Sequence, residues 1–88
     1  METIQILGIF IGNRKNEAQQ VQKLLTSYGC SIRTRIGLHD ISPEACCGSG
    51  GLLLIELVGS QQERENLIQA LHAIAHIQVK EMLFSVCP

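Results

Sequence analysis

Arg35-Ile36-Gly37-Leu38-His39, a polar run ending in Cys46-Cys47-Gly48-Ser49-Gly50-Gly51, and then Leu52-Leu53-Leu54-Ile55-Glu56-Leu57 read as a strand, a long connector and a second strand. The alternation of Ile32, Thr34, Ile36 and Leu38 with Arg33 and Arg35 has the period of two expected of a half-buried edge strand. Leu52 to Val58 is apolar on both faces, as a strand in the middle of a sheet would be. Between them, Pro43 and Gly48, Gly50 and Gly51 let neither element continue.

Working outward, Ile4 to Ile11 is a short β-branched run with two apolar faces, which predicts another central strand. Gly12 to Lys15 makes a turn, with Asn16 as N-cap and Glu17 in the first helical turn, where the helix dipole favours a carboxylate. Ala18, Val21, Leu24, Leu25 and Tyr28 then form one helical stripe, and Gly29 closes it. A second amphipathic helix runs from Gln61 to about Ile74, with Leu67, Ile68, Leu71 and Ile74 on one side. Ile77, Val79 and Leu83 mark the apolar side of a last strand, interrupted by Glu81. The order β-α-β-β-α-β predicts an α+β, ferredoxin-like sandwich: a four-stranded antiparallel sheet with both helices on one face. That architecture puts the first and third strands in the middle, where this chain has its doubly apolar runs.

All 88 residues are taken up by one such domain, spanning 1–88. The formal charge of −1 and an aromatic set of only Phe10, Tyr28 and Phe84 argue against a phosphate-tracking face or a base-stacking platform. Direct nucleic-acid binding is therefore not expected. No apolar run approaches the roughly 18 residues of a membrane span. Met1 to Gln5 has neither the basic nor the apolar region of a secretory signal, so the expected compartment is the cytoplasm. Cys30, Cys46, Cys47 and Cys87 are accordingly read as reduced thiols, with Cys30 a buried or half-buried small hydrophobe.

Central strands with two apolar faces raise the question of what covers the side away from the helices. If Ile4, Ile6, Gly8 and Phe10 face the helices, then Leu7, Ile9 and Ile11 face outward beside Leu52, Leu54 and Val58, ringed by Gln5, Arg33, Arg35 and Glu56. An apolar patch rimmed in this way predicts a homo-oligomer, dimer or tetramer, joined through the open sheet face. The alternative is that the carboxy-terminal tail or the long connector covers it.

The chemistry-bearing residues gather in the connector. His39, Asp40, Glu44, Cys46 and Cys47 include imidazole and thiolate donors that suit a transition metal, with His39, Cys46 and Cys47 the candidate ligands. Adjacent cysteines match no zinc-finger or ribbon spacing, and the competing reading is an exposed loop with incidental donors. Gly48-Ser49-Gly50-Gly51 opens a strand and not a helix, so it lacks the dipole of a phosphate loop. Its backbone N–H groups, Gly50 among them, can still receive a small carboxylate or amino-acid ligand. His72 and His76 are four apart but straddle the predicted helix end, without an acidic partner. No nucleophile has a base held by a third group, so catalysis is not expected.

Arg35-Ile36-Gly37-Leu38-His39, the cysteine-containing connector, Leu52–Leu57 and the helix start Glu65-Asn66-Leu67 together resemble the iron-only hydrogenase system regulators. Those proteins are similar to ACT-like ligand domains, including the metal-sensing half of the nickel-responsive repressor. The resemblance spans nearly the whole chain. It implies a ferredoxin-like, ACT-like oligomer from an anaerobic bacterium, with a regulatory role and a ligand site at Arg35, Gly37, His39 and the connector cysteines. Unlike the repressor, the chain has no DNA-binding module ahead of its first strand. Two functions follow: a module that senses a small molecule or metal through the connector, or a small redox or metal-handling protein that uses Cys46 or Cys47 directly.

Overall fold

A computed structural model describes residues 3–12, 14–38 and 51–86. The chain runs through β1 (Thr3–Gly12), α1 (Lys15–Ser27), a 3₁₀ turn (Gly29–Ser31), β2 (Ile32–Leu38), β3 (Gly51–Leu57), α2 (Gln61–His72) and β4 (Gln78–Ser85). The four strands form one sheet in the order β2-β3-β1-β4, every pair antiparallel. This is the ferredoxin-like arrangement, with the two doubly apolar strands in the middle as their composition demands.

The local signals set most of the element ends. Ser60 caps α2, its hydroxyl accepting a hydrogen bond from the Glu63 N–H at 3.2 Å, and Glu63 adds its charge to the first turn. Helix α1 begins earlier than expected. Its N-cap is Arg14, whose carbonyl accepts from the Ala18 N–H at 2.9 Å, so Asn16 lies inside the first turn and caps nothing. Gly29 does follow the helix, but the chain leaves through a 3₁₀ turn and not a left-handed cap. Cys30 in that turn is exposed, which corrects its expected burial. Helix α2 stops at His72, and His76 takes a left-handed φ of 70° before β4.

The core lies between the sheet and the helices. Leu7, Ile9 and Ile11 of β1 and Ile55 and Leu57 of β3 meet Val21 and Leu25 of α1 and Leu67 and Leu71 of α2, with Ile74 closing the end. The outward assignment of β1 is thereby reversed. Leu7 and Ile9 are fully buried under the helices, while Ile4 and Phe10 lie on the open side. The pairings Leu7↔Ile55 and Ile9↔Leu53 fix this, because residues directly opposite in a ladder share a face. The other choice would have set Gly8, with nothing to pack, at the middle of the core.

A second parity change occurs in β2. Ile32 pairs with Leu57 and packs on the core, but Thr34 pairs with Glu56. One extra residue on β2, Arg33, is a β-bulge, and every side chain beyond it changes face. Ile36 and Leu38 therefore emerge on the open side, while Arg35 points to the helix side and donates a hydrogen bond to Gln22 of α1. Gln5 likewise lies on the helix side, bonded to Arg64 and Glu81, so neither Gln5 nor Arg35 rims the open face as expected.

Gly12 and Gly51 join where β1 and β3 meet at the connector end of the sheet. A Cβ on Gly51 would sit 2.6 Å from the Gly12 carbonyl oxygen, closer than any side chain tolerates, and Gly12 itself has φ +69°. Replacing Gly51 by Ala should destabilise the domain by more than 1 kcal/mol, about the ordinary scale of single substitutions. Leu71→Ala should cost about 2–5 kcal/mol through the cavity it leaves. Urea unfolding followed by circular dichroism measures both.

Candidate functional site

The open face of the sheet can be laid out row by row from its register. One row reads Leu38, Leu52, Phe10, Gln78 across β2, β3, β1 and β4; the next reads Ile36, Leu54, Gly8, Lys80; the third reads Thr34, Glu56, Ile6, Met82. Ile4 and Phe84 extend it beyond the third row. Large apolar side chains dominate: Ile4, Phe10, Ile36, Leu38, Met82 and Phe84 are all 37–50% exposed. Of the polar groups, Lys80 and Gln78 stand to one side on β4, Thr34 lies on β2, and Glu56 lies on the central strand β3 in the third row. Glu56 accepts from Thr34 Oγ1 at 3.0 Å and pairs with Arg33 at 3.3 Å.

Gly8 has no side chain to contribute, and this makes a depression in the face. It is the floor of a groove of about 260 Å³ walled by Phe10, Leu52, Leu54, Met82 and the stem of Lys80. A larger recess of about 420 Å³ opens at the far end of the sheet, where Ile4, Val58 and Val86 meet Arg33, Glu56 and Arg64. Arg64 there donates to Gln5 Oε1 at 3.1 Å, and Arg33 is held by Glu56, so its charged groups already have partners.

Of the ligand residues expected from sequence, Arg35 and Gly37 lie on the helix side of β2, Gly37 paired with Leu53 and Arg35 with Ile55. His39, Gly50, Cys46 and Cys47 lie outside the described residues, as do Asp40, Glu44 and Cys87. The connector's ends are described: Leu38 and Leu52 are cross-strand partners on the open face. His72 and His76 are both exposed. Among the described residues no three of His, Cys, Asp and Glu gather to hold a metal ion. None of the described helices is long and apolar enough to cross a membrane.

No protein-family model matches the sequence, and no curated protein matches it significantly. Solved structures do. An uncharacterized protein from Thermotoga maritima matches 96% of this chain and 100% of its own, at 24% identity and a TM-score of 0.68. The regulatory subunit of aspartate kinase from Thermus flavus matches over 96% of this chain, 19% identical, with a TM-score of 0.52; this chain spans 52% of that one. A dimeric ferredoxin-like protein of unknown function from Thermobifida fusca matches 96% of this chain and 91% of its own at 13% identity, with a TM-score of 0.50. At these identities the likeness is one of fold.

Sequence reasoning missed the contribution of β2 to the open face. Ile36 and Leu38 enlarge the apolar field by a whole strand, and only the bulge at Arg33 reveals it. Arg33 and Lys80 near that field are exposed and Glu56 is half-buried, so ion pairing among them adds little to folding. Glu56→Gln, which removes the ion pair with an Arg33 side chain 68% exposed, should shift the unfolding free energy by less than about 1 kcal/mol. Thermal melts at low and high salt will show whether even that small effect is screened.

Proposed function

We propose that this chain is a small regulatory binding module of the ACT-like kind, which works as a homo-oligomer joined through the open face of its sheet. The carrying observation is that face. Three rows of four positions, mostly apolar, remain at least partly exposed in a chain whose helices cover only the other surface. Exposed apolar fields of this extent mark interaction sites. Each large side chain covered there contributes about 1.5–3 kcal/mol.

The ligand is a small molecule or a transition metal, held at the connector between β2 and β3 by His39 with Cys46 or Cys47 and by the backbone at Gly50, with Arg35 and Gly37 on the strand leading to it. Leu38 and Leu52, the residues that flank the connector, belong to the same face as the subunit contact. Occupation of the connector therefore couples to assembly, which is a route to a regulatory signal. Support for a regulatory role comes from the sequence resemblance to iron-only hydrogenase system regulators and from the shared fold of the aspartate kinase regulatory subunit. The dimeric Thermobifida fusca protein supports assembly of this fold into pairs.

Native mass spectrometry of anaerobically purified protein tests assembly and ligand together. A dimer or tetramer carrying extra mass that disappears in a His39→Ala, Cys46→Ser, Cys47→Ser variant is the expected result. A monomer without added mass overturns the reading. Phe10→Glu should convert the oligomer to monomer in sedimentation at micromolar concentration, with its circular dichroism unchanged, because Phe10 is exposed on the face. Ile9→Lys, by contrast, should unfold the chain. The link to hydrogenase is tested by deleting the gene and assaying hydrogenase activity in anaerobic cells.

A further inference from the structure

The register of the open face specifies how a second copy would sit on it. Gly8 and Leu54 are direct cross-strand partners, in the middle of the three rows and on the two central strands. One is a hole and the other a knob. We propose that two copies pack face to face about a twofold axis that runs parallel to the strands, midway between β1 and β3, so that Leu54 of each copy enters the groove floored by Gly8 of the other. The proposal rests on the association through the open face argued above and gives it a geometry.

The axis follows from the grid. In an isologous pair each patch meets itself, so the operator must carry the surface onto its own complement. An axis along the strands between β1 and β3 exchanges the two central strands row for row and sets each Leu54 opposite a Gly8. An axis across the strands through the same row would set Gly8 over Gly8 and leave a void, which a packed interface does not keep. Aligned packing of two sheets, about 10 Å apart and turned by about 30°, keeps the best registry at the axis, where this pair lies. The groove is built to accept a side chain: a Cβ added at Gly8 would have only the chain's own Leu54 methyl nearby, at 3.5 Å.

Charge and area agree with this placement. The same axis carries β4 over β2 of the partner, so Lys80 stands one strand and two residues from Glu56 of the partner subunit, within reach of its long stem. Three rows of four positions and the Ile4–Phe84 pair beyond them, each about 4.8 Å by 6.8 Å, give a face of about 450 Å² in projection. Side-chain relief makes the accessible area larger than this projection, toward the roughly 600 Å² per partner at which stable interfaces begin.

Sedimentation of the full chain and three variants tests the geometry. Gly8→Leu fills the groove and should weaken association at least thirtyfold, whereas Gly8→Leu combined with Leu54→Ala exchanges knob and hole and should recover most of it. Lys80→Glu, an exposed substitution that leaves the fold untouched, should weaken association about tenfold at low salt and much less at high salt. Circular dichroism and thermal melts establish that each variant is folded, and Lys80→Glu still decides if Gly8→Leu is not. A wild-type dimer undisturbed by Gly8→Leu, or one not recovered by the double variant, overturns the interlock and leaves association through the face standing. An association constant unmoved by Lys80→Glu overturns this orientation. A wild-type monomer overturns both the geometry and the association on which it rests.

Discussion

Everything in this fold depends on the register of β1 between its two neighbours. Leu7 opposite Ile55 and Ile9 opposite Leu53 put one set of alternate residues under the helices, and Gly8 opposite Leu54 and Lys80 puts the other set outside. A slip of one residue would trade the two sets, drive Phe10 and Gly8 into the core and expose Leu7 and Ile9. The buried set fills the space below α1 and α2 with branched aliphatics, while Gly8 could not. The core thus selects the register, and the register in turn composes the outer surface.

The architecture was legible in the residues because it follows from periodicity and turn chemistry. Val21 and Leu25, Leu67 and Leu71 recur at helical spacing, Ser60 stands where a cap is needed, and the central strands are apolar on both sides. That last property hid the orientation of β1: when Ile4, Ile6 and Phe10 alternate with Leu7, Ile9 and Ile11, alternation carries no information about inside and outside. Gly8 and Glu56 were the available cues, since a core strand rarely places a glycine or a carboxylate at its packed centre. The face of β2 was not legible at all. A bulge at Arg33 changes parity through one unpaired backbone residue, and nothing in Ile32 to Leu38 marks it. The candidate ligand residues are harder still, because donor groups such as His39 and Cys46 identify a chemistry only when their convergence is known.

The two sides of the sheet do different work with similar residues. On the inner side apolar groups meet helices of the same chain, and no buried polar side-chain atom among the described residues lacks a partner. On the outer side comparable groups remain accessible, with the charges of Lys80, Glu56 and Arg33 among them. A chain of 88 residues has little interior in which to enclose a ligand. Under the proposed function, binding at an edge beside a subunit contact would supply the enclosure that the chain's own core cannot provide.

The pairing of Thr3 with Ser85 and of Phe10 with Gln78 has a further consequence, and it is kinetic. β1 is made before both of its neighbours, β3 and β4, so its ladder on one side closes only with residues about 70 positions further along. Contacts this distant along the chain slow folding, because loop-closure entropy is lost before they form. During synthesis at about 5–20 residues per second, roughly 4–15 s separate Gly8 from Lys80. Throughout that interval the edge of β1 that will meet β4 lacks its native neighbour, although the helices and β3 are made before β4.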